Sequence, residues 1–181
     1  MNRKLLFILT LLIISSNLYS QSYLGWVKKK TSLREEPSSS STLLLTLNTG
    51  AQIYIESLET INGFYNVIDI ETNTEGYIAE SNVKIGEVVE KSKERLFSPS
   101  GKIAAYDPEV EIFNNTSLDL TLKLNETVYK FSPQEKYTLK LSSGFYEFRA
   151  SAPGVIPVSG NDNLESNMGY NWEFYVITQR R

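Results

Sequence analysis

Leu118-Asp119-Leu120-Thr121-Leu122-Lys123-Leu124 places leucine at every second position and a polar residue at each position between. A β-strand sends successive side chains to opposite faces, so this spacing collects the four leucines on one face and Asp119, Thr121 and Lys123 on the other. The stretch therefore reads as a strand with one face against a core. Asn125-Glu126 turns the chain back, and residues 127–131 form its hairpin partner. On the N-terminal side, residues 110–113 read as a strand and Asn114-Asn115-Thr116 as a turn. On the C-terminal side, Tyr137, Leu139 and Leu141 alternate, Ser143-Gly144 leads into a strand over 145–150, and Pro153-Gly154 and Pro157 break structure. Tyr170, Trp172, Phe174 and Val176 alternate in a last strand whose aromatic face reads as core or inter-domain packing. At least six short strands, with turn signals every ~8–12 residues, predict a β-sandwich.

The first half follows the same logic with different turn spacing. Residues 23–27, 42–47, 52–56 and 64–70 read as strands, and Gly76-Tyr77-Ile78 begins a closing strand. The hydroxyl-rich stretch 38–42, after Glu36-Pro37, reads as a loop, and Asn48-Thr49-Gly50 and Asn73-Thr74-Glu75-Gly76 read as turns. Asn62-Gly63 is a hairpin signal, because both central positions of the tightest hairpin turn need a positive φ. Five strands in so short a span suggest a small barrel, since closure removes the edges that invite aggregation. The fold class is therefore all-β, with a small barrel at 21–86, a linker at 87–101 and a β-sandwich domain at 102–181. Within the linker, Val89, Lys93 and Leu96 leave room for a short helical turn, and Ser98-Pro99-Ser100-Gly101 breaks structure.

Residues 1–20 stand apart. Arg3 and Lys4 precede an almost uninterrupted apolar run over 5–14, and a small, polar stretch leads to Gln21. That order is the one a secretory signal peptide has, and the apolar run is far short of the roughly twenty residues a membrane helix needs. Cleavage after Ser20 is the expected processing, which places the mature chain outside the cytoplasm, periplasmic or secreted, with no membrane span. Losing Arg3 and Lys4 from a chain of net charge −3 leaves −5. A negative chain whose only basic run is Lys28-Lys29-Lys30 is a poor partner for nucleic acid.

The chain has no Cys and no His. Cysteine nucleophiles, Ser-His-Asp triads and His/Cys zinc sites are thereby excluded. Carboxylate pairs remain: Asp69 with Glu71, the row Asp107, Glu109 and Glu111, and Asp162 with Glu165. Each lacks the further oxygen ligands that a calcium site requires and reads first as a solvated strand or turn. The expectation is a protein that is not an enzyme and carries no metal or cofactor.

In the first half, Thr31-Ser32-Leu33-Arg34, Pro37, Leu43-Leu44-Leu45, Gly50, Asn62-Gly63-Phe64-Tyr65-Asn66-Val67 and Gly76-Tyr77-Ile78 stand in an ordered series. The series resembles the bacterial SH3-like domain of exported proteins, over about residues 24–85. It departs where the family has Leu-Asn before Val-Arg, Gly before Pro and Trp after Asn-Gly; here those positions hold Thr31-Ser32, Glu36 and Phe64. The second half is only loosely similar to small immunoglobulin-like modules of exported proteins. The first resemblance implies an SH3-like barrel that binds a peptide, a cell-wall fragment or an envelope protein through aromatics beside its closing strands. The candidates are Tyr65, Tyr77, Trp26 and Phe64. Trp26 and Phe64 also suit a small core, and for Tyr65 and Tyr77 core and surface both remain open. The alternative is a structural accessory or assembly subunit of an envelope complex.

Overall fold

The computed structural model describes residues 21–176. The expected signal segment, and with it the cleavage point, lies outside the described residues. The chain is all-β: among the described residues the only helical element is a single 3-10 turn at Glu80–Asn82. No helix there is long and apolar enough to cross a membrane.

The first module is one antiparallel sheet of seven strands: β1 (Ser22–Val27), β2 (Thr31–Arg34), β3 (Leu43–Leu47), β4 (Gln52–Ile55), β5 (Phe64–Asp69), β6 (Thr74–Ala79) and β7 (Val83–Val89). Their order is β3-β2-β6-β5-β4-β1-β7. Val27, Leu33, Leu47, Ile53, Val67, Ile78 and Val83 come from seven different strands and meet in one buried cluster. A sheet in which every strand points a side chain at the same core must wrap around it. The sequence reading of five strands was short by two. β2 is too brief to show alternation, and β7 exposes Ile85 and Val88 on its outer edge, so neither carries a clean period. Asn62 and Gly63 both have positive φ, at 52° and 78°. Ile61 and Phe64 exchange both backbone hydrogen bonds across them, at 3.0 and 2.9 Å, the tight hairpin the dipeptide specifies.

The second module stacks two four-stranded sheets. One runs β11 (Thr127–Phe131), β10 (Leu120–Leu124), β13 (Gly144–Ser151), β14 (Val158–Leu164); the other runs β12 (Lys136–Lys140), β9 (Glu109–Asn114), β15 (Met168–Phe174), β8 (Ser98–Lys102). Leu120, Leu122, Leu124 and Phe148 from the first meet Val110, Ile112, Leu139 and Tyr170 from the second in a single core. Three of the four alternating leucines are therefore core, while Leu118 precedes the strand and is half-buried. Trp172 and Phe174 pack against this core as partly buried neighbours of Tyr170.

The segment expected to be a linker is shorter and tighter than its sequence suggests. β7 extends through Val89 and β8 starts at Ser98, so only residues 90–97 connect the modules. Phe97 is fully buried in the sandwich core and meets Trp172 edge-on at 6.2 Å. Its N–H donates to Asp162 Oδ2 at 2.8 Å, and Arg95 Nε donates to Asp162 Oδ1 at 2.9 Å. The hydrogen bond to Asp162 raises the Arg95 pKa. Ser92 N–H donates to Ser159 O at 2.7 Å, so the connection lies along β14 and covers part of that edge.

Candidate functional site

The period-2 rule puts Leu24 on β1, Tyr54 on β4 and Ile68 on β5 on the face of the first sheet that points away from its core. These three are nevertheless buried, with Ile70, in a cluster of their own. The sandwich covers them. Tyr54 Oη lies 2.7 Å from Ser22 Oγ and 3.3 Å from Ser159 Oγ of β14. Gly154 N–H donates to Ile70 O at 2.7 Å, and Asn73 Nδ2 donates to Thr121 Oγ1 at 3.1 Å. Fully burying an apolar side chain of this size contributes roughly 1.5–3 kcal/mol, enough to fix the two modules against each other.

Arg149 stands at this junction. On β13 it alternates with the core residues Phe148 and Ala150, so its side chain leaves the sandwich and crosses to the first module. It is 4% exposed. Its Nη2 bonds Glu75 on β6, and its Nη1 lies 3.0 Å from Glu56 Oε1 without the alignment of a hydrogen bond. Nε and Nη1 are both buried without a hydrogen-bond partner. Lys123 Nζ is 3.8 Å from the same Glu56 oxygen.

Above this ion cluster the modules part to form a cleft of about 550 Å³, within the range of ligand clefts. Glu56, Ile61, Asn66 and Tyr77 line it from the first module, and Lys123, Glu147 and Arg149 from the second. Strand register explains how Tyr77 arrives there. Leu43 pairs with Arg34, Arg34 with Tyr77 and Tyr77 with Asn66, and Glu56 N–H donates to Asn66 O at 3.4 Å. One row of residues thus runs across the outer face of the sheet, from edge strand β3 to the cleft.

The four aromatics chosen from sequence do not form one platform. Tyr77 is half-buried and lines the cleft. Phe64 is half-buried at the start of β5, on the same face as Asn66 but outside the cleft lining. Tyr65 alternates with it and points inward, buried in the first module's core, so it is a packing residue and not a ligand contact. Trp26 is half-buried on β1, which β4 and β5 separate from β6. Its partners are Lys84, with Nζ 6.0 Å from the ring, and Gly86, against which the indole lies. A Cβ at position 86 would come within 2.2 Å of the Trp26 ring. Gly86→Ala is therefore expected to push the indole into solvent and cost about 1–3 kcal/mol. The check is a red-shifted Trp26 emission in a Trp172→Phe background.

Three of the carboxylates singled out earlier, Asp69, Glu109 and Asp162, have structural partners. Asp69 Oδ2 accepts from Thr72 N at 3.1 Å and Thr72 Oγ1 at 2.7 Å, which closes the β5–β6 turn. Glu109 pairs with Lys140 at 3.3 Å. Asp162 anchors Phe97 and Arg95. Among the described residues no three or more metal-ligating side chains group together. A larger groove, of about 1040 Å³, opens where Val88 and Glu90 face Asn161 and Glu165, but its buried carboxylate, Asp162, is already taken by the connection. Arg149 and Glu56 had no sequence signal, because each is a single charge on a strand whose partner lies across the junction. No family model, curated protein or solved structure matches the chain.

Proposed function

We propose that the protein is an exported, non-catalytic binding protein that holds a peptide, a cell-wall fragment or an envelope protein in the cleft between its modules. The observation that carries this reading is the cleft itself: a concave site with an aromatic wall, Tyr77, and a polar floor. A chain without His or Cys brings few reactive groups to such a site. The signal-like start supports placement outside the cytoplasm. The ordered SH3-like series, and a sheet whose strands all converge on one core, support an SH3-like barrel as the first module; the stacked four-stranded sheets suit an immunoglobulin-like second module.

Muropeptides and solubilised envelope proteins are the probes that test this. Tyr77→Ala is expected to weaken saturable binding at least about tenfold, the effect of losing an aromatic anchor, while changing stability by no more than about 1 kcal/mol at a half-exposed position. Unchanged binding by Tyr77→Ala, or no saturable partner among these probes, contradicts the proposal. The second reading, an assembly subunit, draws on edge strand β3, which exposes Leu43 and Leu44 at 52% and 41%. In that case envelope partners survive Tyr77→Ala and are lost with Leu43→Lys.

A further inference from the structure

From the state of Arg149 we infer that the cleft is a carboxylate-reading site and that Glu56 occupies, in the free protein, the place of a ligand carboxylate. The inference rests on the binding role proposed for the cleft and names the chemistry recognised there.

A guanidinium has five N–H donors in a rigid fork. Burying it with two nitrogens that make no hydrogen bond is costly, and such a group is worth accounting for. Arg149 is buried in this way beneath a cleft it lines. Glu75 holds Nη2 in place. Glu56 reaches Nη1 at 3.0 Å but out of line, and it is also drawn toward Lys123 at 3.8 Å and Asn66 Nδ2 at 3.4 Å. Its side chain remains about a third exposed, which gives it a path toward solvent. A carboxylate arriving from the cleft takes the aligned position at Arg149 that Glu56 misses, and charge-assisted hydrogen bonds of this kind are the strong ones. Glu56 then turns toward Lys123 and solvent. The arriving carboxylate adds one negative charge to a floor where Arg149 and Lys123 already balance Glu56 and Glu75, so Glu56 is its competitor, and the ligand residue next to the carboxylate rests on Tyr77 and Ile61. The ligand class is a peptide bearing a carboxylate, either at its C-terminus or on an acidic side chain.

The test titrates three peptides into 15N-labelled protein: N-acetyl-trialanine as the free acid, its C-terminal amide, and the amide of N-acetyl-Ala-Asp-Ala. Two signals are followed, the Arg149 Nε–H resonance and the backbone amides around Tyr77. The free acid is expected to shift both and to bind at least about tenfold more tightly than the neutral amide. Response to the Asp peptide assigns an acidic side chain as a sufficient source, and its silence restricts the site to a C-terminus. Glu56→Gln, which removes the competing charge while Glu75 keeps Arg149 anchored, is expected to tighten the free acid severalfold. Equal binding of free acid and neutral amide, with shifts near Tyr77 and none at Arg149, overturns carboxylate recognition and leaves a peptide-binding cleft standing. No saturable shift with any peptide, in the wild type or in Glu56→Gln, overturns both. Weaker binding of the free acid to Glu56→Gln overturns the displacement and makes Glu56 a ligand contact.

Discussion

Phe97→Ala is expected to destabilise the protein by about 3–5 kcal/mol, the range for truncating a large buried aromatic. Phe97 is the last residue of the connection, yet it is fully buried and stands edge-on to Trp172. Its removal opens a cavity in the sandwich core and loosens the backbone that Asp162 holds through the Phe97 N–H. Denaturant unfolding, followed through Trp172 in a Trp26→Phe background, measures the loss. A change below about 1 kcal/mol, the size expected for an ordinary surface position, would mean that residues 90–97 are a tether after all and that the modules are not fixed by the connection.

The second large effect is electrostatic. Replacing Glu56 and Glu75 together by Gln leaves the Arg149 guanidinium buried without compensating charge, a loss on the order of 3–5 kcal/mol when a buried pair is broken from one side. The two carboxylates are themselves about a third exposed, so the cost comes from the stranded Arg149 and not from the strength of either pair. Adding Arg149→Met to the double variant is therefore expected to restore much of the stability, because a well-packed apolar group in place of a buried ion pair is often neutral or better. A triple variant no more stable than the double one contradicts this account of the junction.

The parts of the fold legible in the sequence are those governed by local rules. The alternation at Leu120, Leu122 and Leu124 identified a core face, and Asn62-Gly63 specified a turn that the backbone dihedrals match. β8 and β14 were missed because Ser-Pro-Ser-Gly-Lys and Val-Ser-Gly-Asn-Asp-Asn-Leu carry turn residues and little apolar sequence. Both are edge strands; β8 pairs with β15, remote in sequence, whereas β14 pairs with β13, the strand just before it, across a connection broken by Pro153 and Pro157. The candidate site was legible only in Tyr77. Tyr65 and Phe64 could not have shared a surface, since adjacent strand residues face opposite ways; which of the two turned inward depended on the register set by the hairpin. Arg149 and Glu56 meet through module docking, for which a single sequence holds no periodic signal.

Amide chemical-shift mapping of the protein with a muropeptide mixture tests whether the cleft between the modules binds. A binding cleft shared by the two modules predicts saturable shifts on both sides of the junction, at Asn66 and Tyr77 on one and at Lys123 and Arg149 on the other. Shifts confined to one module away from these residues, or progressive conversion of the muropeptides by the protein, would contradict it.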